Sequence, residues 1–431
     1  MTGRAGLRPA PPHQAGTALP RLLPGGPADE TDPASLRGHL RRHGPRPSCG
    51  GDWPHRQRLI DEVGNSHLTG RGGAAFPVAV KLRALAAAPR TPVVIANGVE
   101  GEPASAKDKV LLMSAPHLVL DGAVCAAELT GASEVIIVAH EAARETVHRA
   151  NAERRTAECD PVPVRVMAAA AGFTAGEASA AVHWTERGAP VPTGRPPRLG
   201  GPGHRAALVH NVETLAHLAL IMRHGTSWFR AAGTPAEPGS MLVTILGAVR
   251  YPGVYEIEPG MPVSRMAELA GETTAEPGAL LIGGYFGTWA AAADALPRPF
   301  SAAGLAPVGA VPGAGVLAVL PAWACGLAET ARLTRYLANS SAGQCGPCVF
   351  GLDAIARELE QAAAGGSYDL PAVRRWLHDV TERGACHHPD GTALMVASAL
   401  RVFRAEIALH ERGWCGATSS AAVLPIPEPA S

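Results

Sequence analysis

The chain has no excess of either charge, because 38 basic side chains are balanced by 38 acidic ones among its 431 residues. It therefore lacks the broad electrostatic surface that binds DNA, RNA or anionic lipid, and we expect no nucleic-acid partner. It also lacks an uninterrupted run of about 18 apolar residues and an N-terminal apolar segment of the signal-peptide type. These absences predict a cytoplasmic protein without direct membrane insertion.

Cysteine is sparse as well. Eight cysteines in a chain of this length are too few and too unevenly spaced for a secreted disulfide scaffold. Two of them, Cys345 and Cys348, are separated by Gly346 and Pro347. In a reducing compartment such a pair indicates a metal centre or a redox dithiol, although alone it is weak support for either.

The apolar pattern predicts a β-α-β series in the first half of the chain. Residues 1 to about 35 are rich in Pro, Gly, Ala and Arg without a period, which is typical of a disordered tail. Strands are predicted at 93–95, 135–138 and 164–167, and helices at 116–130 and from 141 to about 154. This alternation indicates an α/β fold with a mainly parallel, Rossmann-like sheet, whose ligand lies beyond the C-terminal strand ends.

The second half of the chain changes character twice. Residues 185–205 hold too much Gly and Pro for a helix or an inner strand, and we expect an ordered loop over a site. From about residue 240, short strands at 242–247 and 254–257 predict a small β-rich module. After about Ala328 the pattern is helical, and one predicted helix face carries Val396, Leu400, Phe403 and Ile407.

A glycine-rich loop is the most informative segment. It runs Thr-Gly-Arg-Gly-Gly-Ala-Ala-Phe-Pro from Thr69 to Pro77 and is followed by Lys81. Glycines let the backbone turn sharply and approach a phosphate or a planar ring, while Arg71 and Lys81 can offset phosphate charge. A plain surface turn is the alternative for such a loop taken alone.

Polar turns elsewhere in the chain favour the ligand site over the surface turn. An amide and two carboxylates, those of Asn97, Glu100 and Glu102, follow the first strand, where they can bind ring edges or ribose hydroxyls. Gly176-Glu177 forms a second turn, and Asn211-Val-Glu-Thr214 opens a helix. The alternative for these acids is simple exposure to solvent.

In their order and spacing, these segments resemble the family of NADH-binding flavoprotein subunits of respiratory complex I, which also occurs in soluble NAD-linked hydrogenases and formate dehydrogenases. The resemblance covers roughly residues 60 to 412. It implies an FMN site whose contacts fall on Gly70, Arg71, Gly72, Gly73, Ala74, Phe76, Lys81, Asn97, Glu100, Gly176, Glu177, Asn211 and Thr214, beside which Glu102 is a further candidate.

The resemblance also implies the domain organisation. We expect an FMN-binding domain at 36–235, a soluble-ligand-binding β-grasp domain at 236–325 and a helical iron-sulfur domain at 326–415. Tails are expected at 1–35 and 416–431.

A 4Fe-4S cluster is the second cofactor that the resemblance implies. The family motif is Ser-Cys-Gly-x-Cys-x-Pro-Cys with a distant fourth cysteine. Here Cys345, Cys348 and Cys386 match three ligand positions, while Ala342 occupies the first. Alanine cannot bind iron, so the fourth ligand would be His387, His388, Cys325 or a non-protein group. The alternative is that the cluster is lost and the three cysteines are remnants.

The nicotinamide side departs further from the family. Val99 and Ala178 stand where the family has acidic residues, and Arg83 and Arg198 stand in place of aromatic residues that flank the dinucleotide. Each such change can cost about 1 to 3 kcal/mol of binding. We therefore expect weak use of NADH.

The resemblance implies an NADH dehydrogenase (quinone)-like oxidoreductase that passes electrons from NADH or another donor through FMN to the cluster and a partner protein. We expect that partner to be ferredoxin-like or another electron-transfer subunit, with attachment to a membrane complex as a peripheral subunit. One alternative is a shuttle between a ferredoxin and a membrane reductase that does not use NADH. A redox-inactive subunit that docks partners through its β module is the other.

Overall fold

The computed structural model describes residues 19–24, 32–194 and 205–427. Its first sheet has four parallel strands in the order β3-β2-β1-β4, which confirms the predicted Rossmann-like arrangement. The strands are β1 (Val93–Gly98), β2 (Val135–Ala139), β3 (Val164–Ala168) and β4 (Ala207–Asn211). The helices are α1 (Leu36–His43), α2 (Trp53–Ser66), α3 (Val78–Ala86), α4 (Lys107–Ser114), α5 (Pro116–Thr130), α6 (Glu141–Thr156), α7 (Ala178–Arg187) and α8 (Val212–Arg230).

Helix α5 lies at the centre of this domain. It begins at Pro116 and is closed by Gly131 with φ 70°, as the sequence predicts, because proline suits the first turn and glycine the left-handed cap. It packs directly on α8: a Cβ at Gly122 would lie 1.8 Å from the carbonyl oxygen of Leu215, so only glycine permits this approach. The contact fixes the N-terminus of α8 beside the strand ends.

The length and apolar composition of these helices bear on whether any of them could cross a membrane. Among the described residues no single helix is long and apolar enough to cross a membrane. Helices α4 and α5 taken together have the length and composition of a membrane span, but the angle between them is 97°.

The second sheet is mixed and has the order β6-β5-β9-β7-β8. Strands β5 and β9, the first and last of this sheet along the chain, are parallel neighbours. Strand β6 pairs antiparallel with β5, β7 pairs antiparallel with β9, and β8 pairs antiparallel with β7. A short helix, α9, packs on one face, so the module has the predicted β-grasp arrangement. The elements are β5 (Met241–Gly247), β6 (Gly253–Ile257), α9 (Val263–Leu269), β7 (Pro277–Ile282), β8 (Thr288–Ala291), α10 (Ala292–Ala295), α11 (Ala302–Leu305) and β9 (Val316–Pro321).

Five helices follow and share a core with the other face of this sheet. A π-helical turn at Pro347–Leu352 leads into the second of them. The helices are α12 (Gly326–Asn339), α13 (Asp353–Ala363), α14 (Leu370–Val380), α15 (His388–Val402) and α16 (Arg404–His410).

Three expectations need correction. The single helix expected through Val396 and Ile407 is broken at Phe403, although all four residues of its predicted face are buried. The predicted loop 185–205 starts later, because α7 continues to Arg187, and residues 195–204 of that loop lie outside the described residues. The third correction concerns the two tails.

Part of the predicted disordered N-terminal tail is ordered. Leu22 is 0% exposed, and the backbone N–H groups of residues 21–23 donate to Oε2 of Glu256 at 2.9, 2.9 and 3.2 Å. At the other end, Leu424 is buried and the N–H of Val423 donates to Oε1 of Glu329 at 2.8 Å. Both segments therefore pack on the body of the protein. Residues 1–18 and 25–31 of the expected tail lie outside the described residues.

Candidate functional site

Four separate segments meet at the C-terminal ends of β1 and β4. Asn97 and Asn211 are neighbours in the strand register. The glycine-rich loop reaches α8 through the N–H of Arg71, which donates to Oγ1 of Thr214 at 2.8 Å. The fourth segment is the Gly176-Glu177 turn, and Nδ2 of Asn97 donates to the carbonyl oxygen of Gly176 at 2.9 Å. The structure thus brings together residues that the sequence places up to about 140 positions apart, at the edge where α/β sheets bind ligands.

The glycine-rich loop is an exposed hairpin. The N–H of Gly70 donates to the carbonyl oxygen of Phe76 at 2.9 Å, which closes the loop. Gly73 has φ 101° and Ala75 has φ 48°, so the chain turns through the left-handed region twice. Between them lies Ala74, which is exposed like its neighbours. The loop leaves backbone open to a ligand, as phosphate-binding turns require.

Lys81 supplies positive charge beside this loop. Its ammonium lies 5.7 Å from the centre of the Phe76 ring, and burial lowers the pKa of the lysine. No carboxylate pairs with it among the described residues. Burial, and then Lys81, lower the pKa of nearby His210 to about 3, so that imidazole stays neutral. A half-buried cation without a counter-charge, next to open backbone, fits the phosphate of FMN.

Arg71 has a different environment from the one expected. Its Nη2 donates to the carbonyl oxygen of Pro238 at 3.1 Å, in the segment that leads into the second sheet. Burial lowers the pKa of the guanidinium, and the charges of Glu213 and Glu237 act against that effect. The side chain therefore anchors the loop, while Nε is buried without a partner among the described residues.

The carboxylates of Glu100 and Glu177 cap helices. Oε1 of Glu100 accepts the N–H of Asp108 at 3.0 Å, at the start of α4, and the side chain is only 2% exposed. Oε2 of Glu177 accepts the N–H groups of Ser179 and Ala180 at 2.8 and 3.0 Å, at the start of α7. Their side chains hold the two turns in place, so any direct contact with a flavin would fall to the backbone of these turns.

A buried charge network ties α4 to α8. Nζ of Lys107 lies 2.8 Å from Oδ1 of Asp108, 2.9 Å from Oε2 of Glu213 and 3.3 Å from Oδ1 of Asn211. Burial would lower the pKa of Lys107, but the two carboxylates outweigh it and hold the pKa above its ordinary value. Nδ2 of Asn211 donates to Oδ2 of Asp108 at 2.6 Å, and this fixes the asparagine amide. The local sequence around Lys107 and Asp108 does not show that they fix Asn211.

Glu102 joins the strand-end turn to the second sheet. Its Oε2 accepts the N–H of Tyr285 at 2.7 Å, and its Oε1 accepts the N–H of Ala104 at 3.1 Å. Burial raises the pKa of Glu102 to about 7, although these two hydrogen bonds lower it in part. The carboxyl group is thus a contact between modules and titrates near neutrality.

The titration of Glu102 predicts a pH dependence of stability. The folded protein keeps this proton at pH values where the unfolded chain, with a pKa near 4.5, has lost it. Stability contributed by the group is therefore lost as the pH rises from the unfolded value to about 7. Between about pH 5 and pH 8 we expect the free energy of unfolding of the wild type to fall by on the order of 2 to 3 kcal/mol relative to that of Glu102→Gln. Thermal midpoints measured across this range check it, and parallel curves for the two proteins would contradict it.

Three cysteines converge at the predicted cluster position. Cys348 lies on the π-helical turn, Cys345 lies just before it, and Cys386 approaches from the loop ahead of α15. Burial, and after it the neighbouring Cys345, Cys386 and Asp390, raise the pKa of the Cys348 thiol to about 12. Closely grouped thiols of this kind gain from a cationic centre, because metal binding deprotonates them. The three residues therefore fit three corners of an iron-sulfur cluster.

Two of the three proposed side-chain substitutes for the fourth ligand, His387 and Cys325, are engaged elsewhere in the structure. The His387 side chain is 95% exposed and pairs through Nδ1 with Asp390 at 3.1 Å. His388 is buried, its Nε2 donates to the carbonyl oxygen of Leu337 at 2.8 Å, and its Nδ1 has no hydrogen-bond partner among the described residues. Cys325 lies 3.4 Å from His410, in a different cluster of side chains. These positions leave Nδ1 of His388 or a non-protein ligand for the fourth corner.

Asp390 is a residue that sequence reasoning missed. Its charge raises the pKa of both Cys348 and Cys386. It lies in the first turn of α15, four positions after Cys386, and its Oδ1 accepts the N–H of Glu382 at 2.7 Å. The spacing after Cys386 was the only signal available in the sequence.

The cluster position lies against the flavin-side turns. Burial, followed by the charge of Glu177, raises the pKa of Cys386. Nε2 of Gln344 donates to the carbonyl oxygen of Pro192 at 2.9 Å. A Cβ at Gly194 would lie 2.2 Å from the carbonyl oxygen of Ala385, so the segment after α7 packs tightly on the cysteine loop. The two candidate cofactor sites are therefore neighbours.

The expected nicotinamide positions are dispersed. Val99 is buried, and Ala178 opens α7. Nη2 of Arg83 lies 2.7 Å from Oδ1 of Asp61, on the side of α3 that packs on α2, so it does not join Phe76 and Lys81. Arg198 lies outside the described residues. Phe76 is 46% exposed beside the loop.

Comparison with known families agrees with this geometry. Residues 63–220 match the family described as the Nuo51 FMN-binding domain, and residues 328–410 match the NADH-ubiquinone oxidoreductase-F iron-sulfur binding region. The two matches together cover more than half of the chain. The chain belongs to the family of complex I flavoprotein subunits. Its β module lies between the two matched regions.

Individual members of the family are similar at low identity. A subunit of the NADH-quinone oxidoreductase of Streptomyces coelicolor is 29% identical over 376 residues, which cover 82% of this chain and 83% of that protein. The alpha subunit of the NAD-reducing hydrogenase HoxS of Cupriavidus necator is 30% identical over 351 residues, or 76% of this chain. This chain spans 55% of the length of that hydrogenase protein.

A solved structure shares the fold. The crystal structure of an NAD+-reducing NiFe hydrogenase in the air-oxidized state superposes with a TM-score of 0.76 at 29% identity. The match covers 83% of this chain and 63% of the hydrogenase chain.

Proposed function

We propose that this chain is an FMN-dependent oxidoreductase subunit that passes electrons to an iron-sulfur cluster and then to a partner protein. The observation that carries the proposal is the juxtaposition of the two sites, because Gln344 donates to the carbonyl oxygen of Pro192 at 2.9 Å and Gly194 packs against Ala385, next to Cys386. Bound FMN would supply the change from two-electron to one-electron transfer. A short path between the two sites serves that chemistry directly.

The residues of the site have distinct roles in this proposal. The loop Gly70–Phe76 offers backbone N–H groups, and Lys81 offsets the phosphate charge. Asn97 and Asn211 present fixed amides at adjacent strand ends, and Arg71 with Thr214 holds the loop against α8. Glu100 and Glu177 position two of the turns. The match to a mononucleotide-binding domain favours FMN over FAD.

Cys345, Cys348 and Cys386 would hold the cluster through three irons. With Ala342 at the remaining family position, the fourth iron would be bound by Nδ1 of His388 or by a non-protein ligand. The relatives are subunits of larger enzymes, so electrons leave through an associated electron-transfer protein. We propose a ferredoxin-like protein or a peripheral subunit of a membrane reductase as that partner, and a cytoplasmic location.

Direct use of NADH is expected to be weak. Val99 and Ala178 offer no carboxylate to the dinucleotide, and Arg83 offers no stacking surface because it is paired with Asp61. Loss of such contacts raises the dissociation constant about tenfold for every 1.4 kcal/mol. Stopped-flow bleaching of the flavin band measures the effect. Rapid reduction at micromolar NADH would instead place this chain among ordinary NADH-oxidising members.

One preparation separates the proposal from its alternatives. The full chain is purified without oxygen, and flavin, iron and sulfide are quantified together with the visible spectrum. Flavin and iron with slow reduction by NADH support electron transfer from another donor, as in the shuttle alternative. A colourless protein without iron would refute the proposal and favour the docking subunit.

A further inference from the structure

A second group of potential metal ligands lies at the start of α12, away from the cluster cysteines. Cys325 is the N-cap of α12, His410 is the last residue of α16, and Cys415 follows in the next turn. Cys325 and His410 are buried, while Cys415 is exposed. Sγ of Cys325 lies 3.4 Å from Nε2 of His410, and the three donor atoms lie within 4.8 Å of one another.

We propose that Cys325, His410 and Cys415 form a zinc site. A tetrahedral ion with Zn–S bonds of about 2.3 Å and Zn–N bonds of about 2.0 Å separates sulfur and nitrogen by about 3.5 Å. The observed 3.4 Å therefore matches a shared ion. Thiolate and imidazole donors select zinc over magnesium and calcium, which prefer oxygen. A carboxylate or a water molecule would complete the fourth position.

The backbone holds the three donors together before any metal binds. The N–H of Gly413 donates to the carbonyl oxygen of His410 at 2.9 Å, and that of Trp414 to Leu409 at 3.1 Å. On the other side of Cys415, the N–H of Thr418 donates to the carbonyl oxygen of Trp323 at 3.0 Å. Both flanks of Cys415 are thus fixed over the start of α12.

Glu406 lies close to the same group. Its Oε2 accepts the N–H groups of Gly326 and Leu327 at 2.8 and 3.3 Å, at the N-terminus of α12. Its other oxygen has no hydrogen bond within the described part of the chain. Glu406 does not belong to the group whose donor atoms lie within 4.8 Å of one another, so its carboxylate is the candidate for the fourth position through a water molecule.

The comparable group at Cys49, Cys125 and Glu128 does not suit a metal ion. There the guanidinium of Arg46 pairs with Glu128 and lies 3.9 Å from Sγ of Cys125. A cation already occupies the centre of that group. The two groups differ because Arg46 brings a positive charge to the group at Cys49, Cys125 and Glu128.

Zinc at this position would clamp the C-terminal segment. Residues beyond Cys415 run over α12, where the N–H of Val423 donates to Glu329. Farther along the segment, the carbonyl oxygen of Pro425 accepts a hydrogen bond from the hydroxyl of Tyr285. Tyr285 also donates its N–H to Glu102. The clamp would therefore stabilise the junction between the helical domain and the second sheet, independently of electron transfer.

Cobalt titration of the full chain tests the site. Co²⁺ replaces zinc in tetrahedral sites and gives intense thiolate-to-cobalt absorption. Wild type and Cys415→Ser are titrated without oxygen, so that their difference spectrum excludes binding at the other cysteines. We expect the wild type to take up one more equivalent of cobalt and zinc to raise its thermal midpoint but not that of Cys415→Ser. Cys159→Ser is the matched control, because Cys159 belongs to neither group.

Two further results decide the outcome. Cys325→Ser keeps a good N-cap residue and should lose cobalt binding as Cys415→Ser does, with an affinity at least about tenfold below the wild type. Equal cobalt uptake by wild type and Cys415→Ser would overturn the proposal. So would a Cys325–Cys415 disulfide found by mass spectrometry in protein isolated without oxygen.

Discussion

Cys386→Ser is expected to abolish the electron paramagnetic resonance signal of the reduced cluster and to release most of its iron. In the proposed site three cysteines would bind the cluster where the family has four, so removal of one would leave two. The remaining pair, Cys345 and Cys348, lies on one turn and cannot surround a cubane from a single side. Iron and sulfide content, measured with the signal in anaerobically prepared protein, gives the result.

The controls for this prediction use residues near the cluster or of the same type. Cys159→Ser should leave the signal intact, since Cys159 lies outside the group. His387→Asn should also leave it intact, because that side chain is exposed and pairs with Asp390. A signal that survives Cys386→Ser unchanged would show that Cys386 is no ligand. Iron absent from anaerobic wild type would favour the alternative in which the cysteines are remnants.

The missing corner also determines how the cluster behaves in air. A neutral imidazole there would raise its potential, by analogy with Rieske centres. His387 faces solvent and Nε2 of His388 donates to Leu337, so Nδ1 of His388 is the one nitrogen of these two imidazoles left for that corner; if it does not bind, the corner has no protein ligand. A fourth iron without a protein ligand is exposed and labile. Air should then convert the centre to a three-iron form.

Local sequence signals predicted the first domain well. The boundaries of α5 follow from Pro116 and Gly131, and the strands follow from short β-branched runs between helical segments. The parallel order then placed Asn97 and Asn211 side by side, since both residues end neighbouring strands. Features that depend only on periodicity and caps are therefore recoverable from one sequence.

The direction of polar side chains was not recoverable in the same way. Glu100, Glu177 and Arg71 all lie in the predicted loops, but their side chains cap helices or bind backbone there. A carboxylate near the start of a helix can cap that helix or contact a ligand, and the local sequence is the same in both cases. Likewise, the apolar spacing continues through Phe403, so the break between α15 and α16 left no periodic signal.

Arg71→Ala combined with Lys81→Ala is expected to strip the flavin from the protein. Lys81 supplies the charge without a counter-ion beside the loop, and a charged hydrogen bond of this kind contributes about 1.5 to 3 kcal/mol. Lys81→Ala alone should therefore weaken binding roughly 10- to 100-fold. Arg71 acts differently, because its guanidinium ties the loop to the carbonyl oxygen of Pro238. Its loss should release the loop, so that the two effects combine.

The matched control is on the same helix as Lys81. Arg83→Ala removes a cation two positions along α3, but this one is paired with Asp61 and faces α2, so flavin content should not change. Lys81→Arg keeps the charge and should retain more flavin than Lys81→Ala. Flavin released by heat or acid and measured per protein chain gives the occupancy of each variant. A full complement in the double variant would show that the glycine-rich loop is not the flavin site, whereas loss in Arg83→Ala would show that helix α3 acts through its overall charge and not through Lys81.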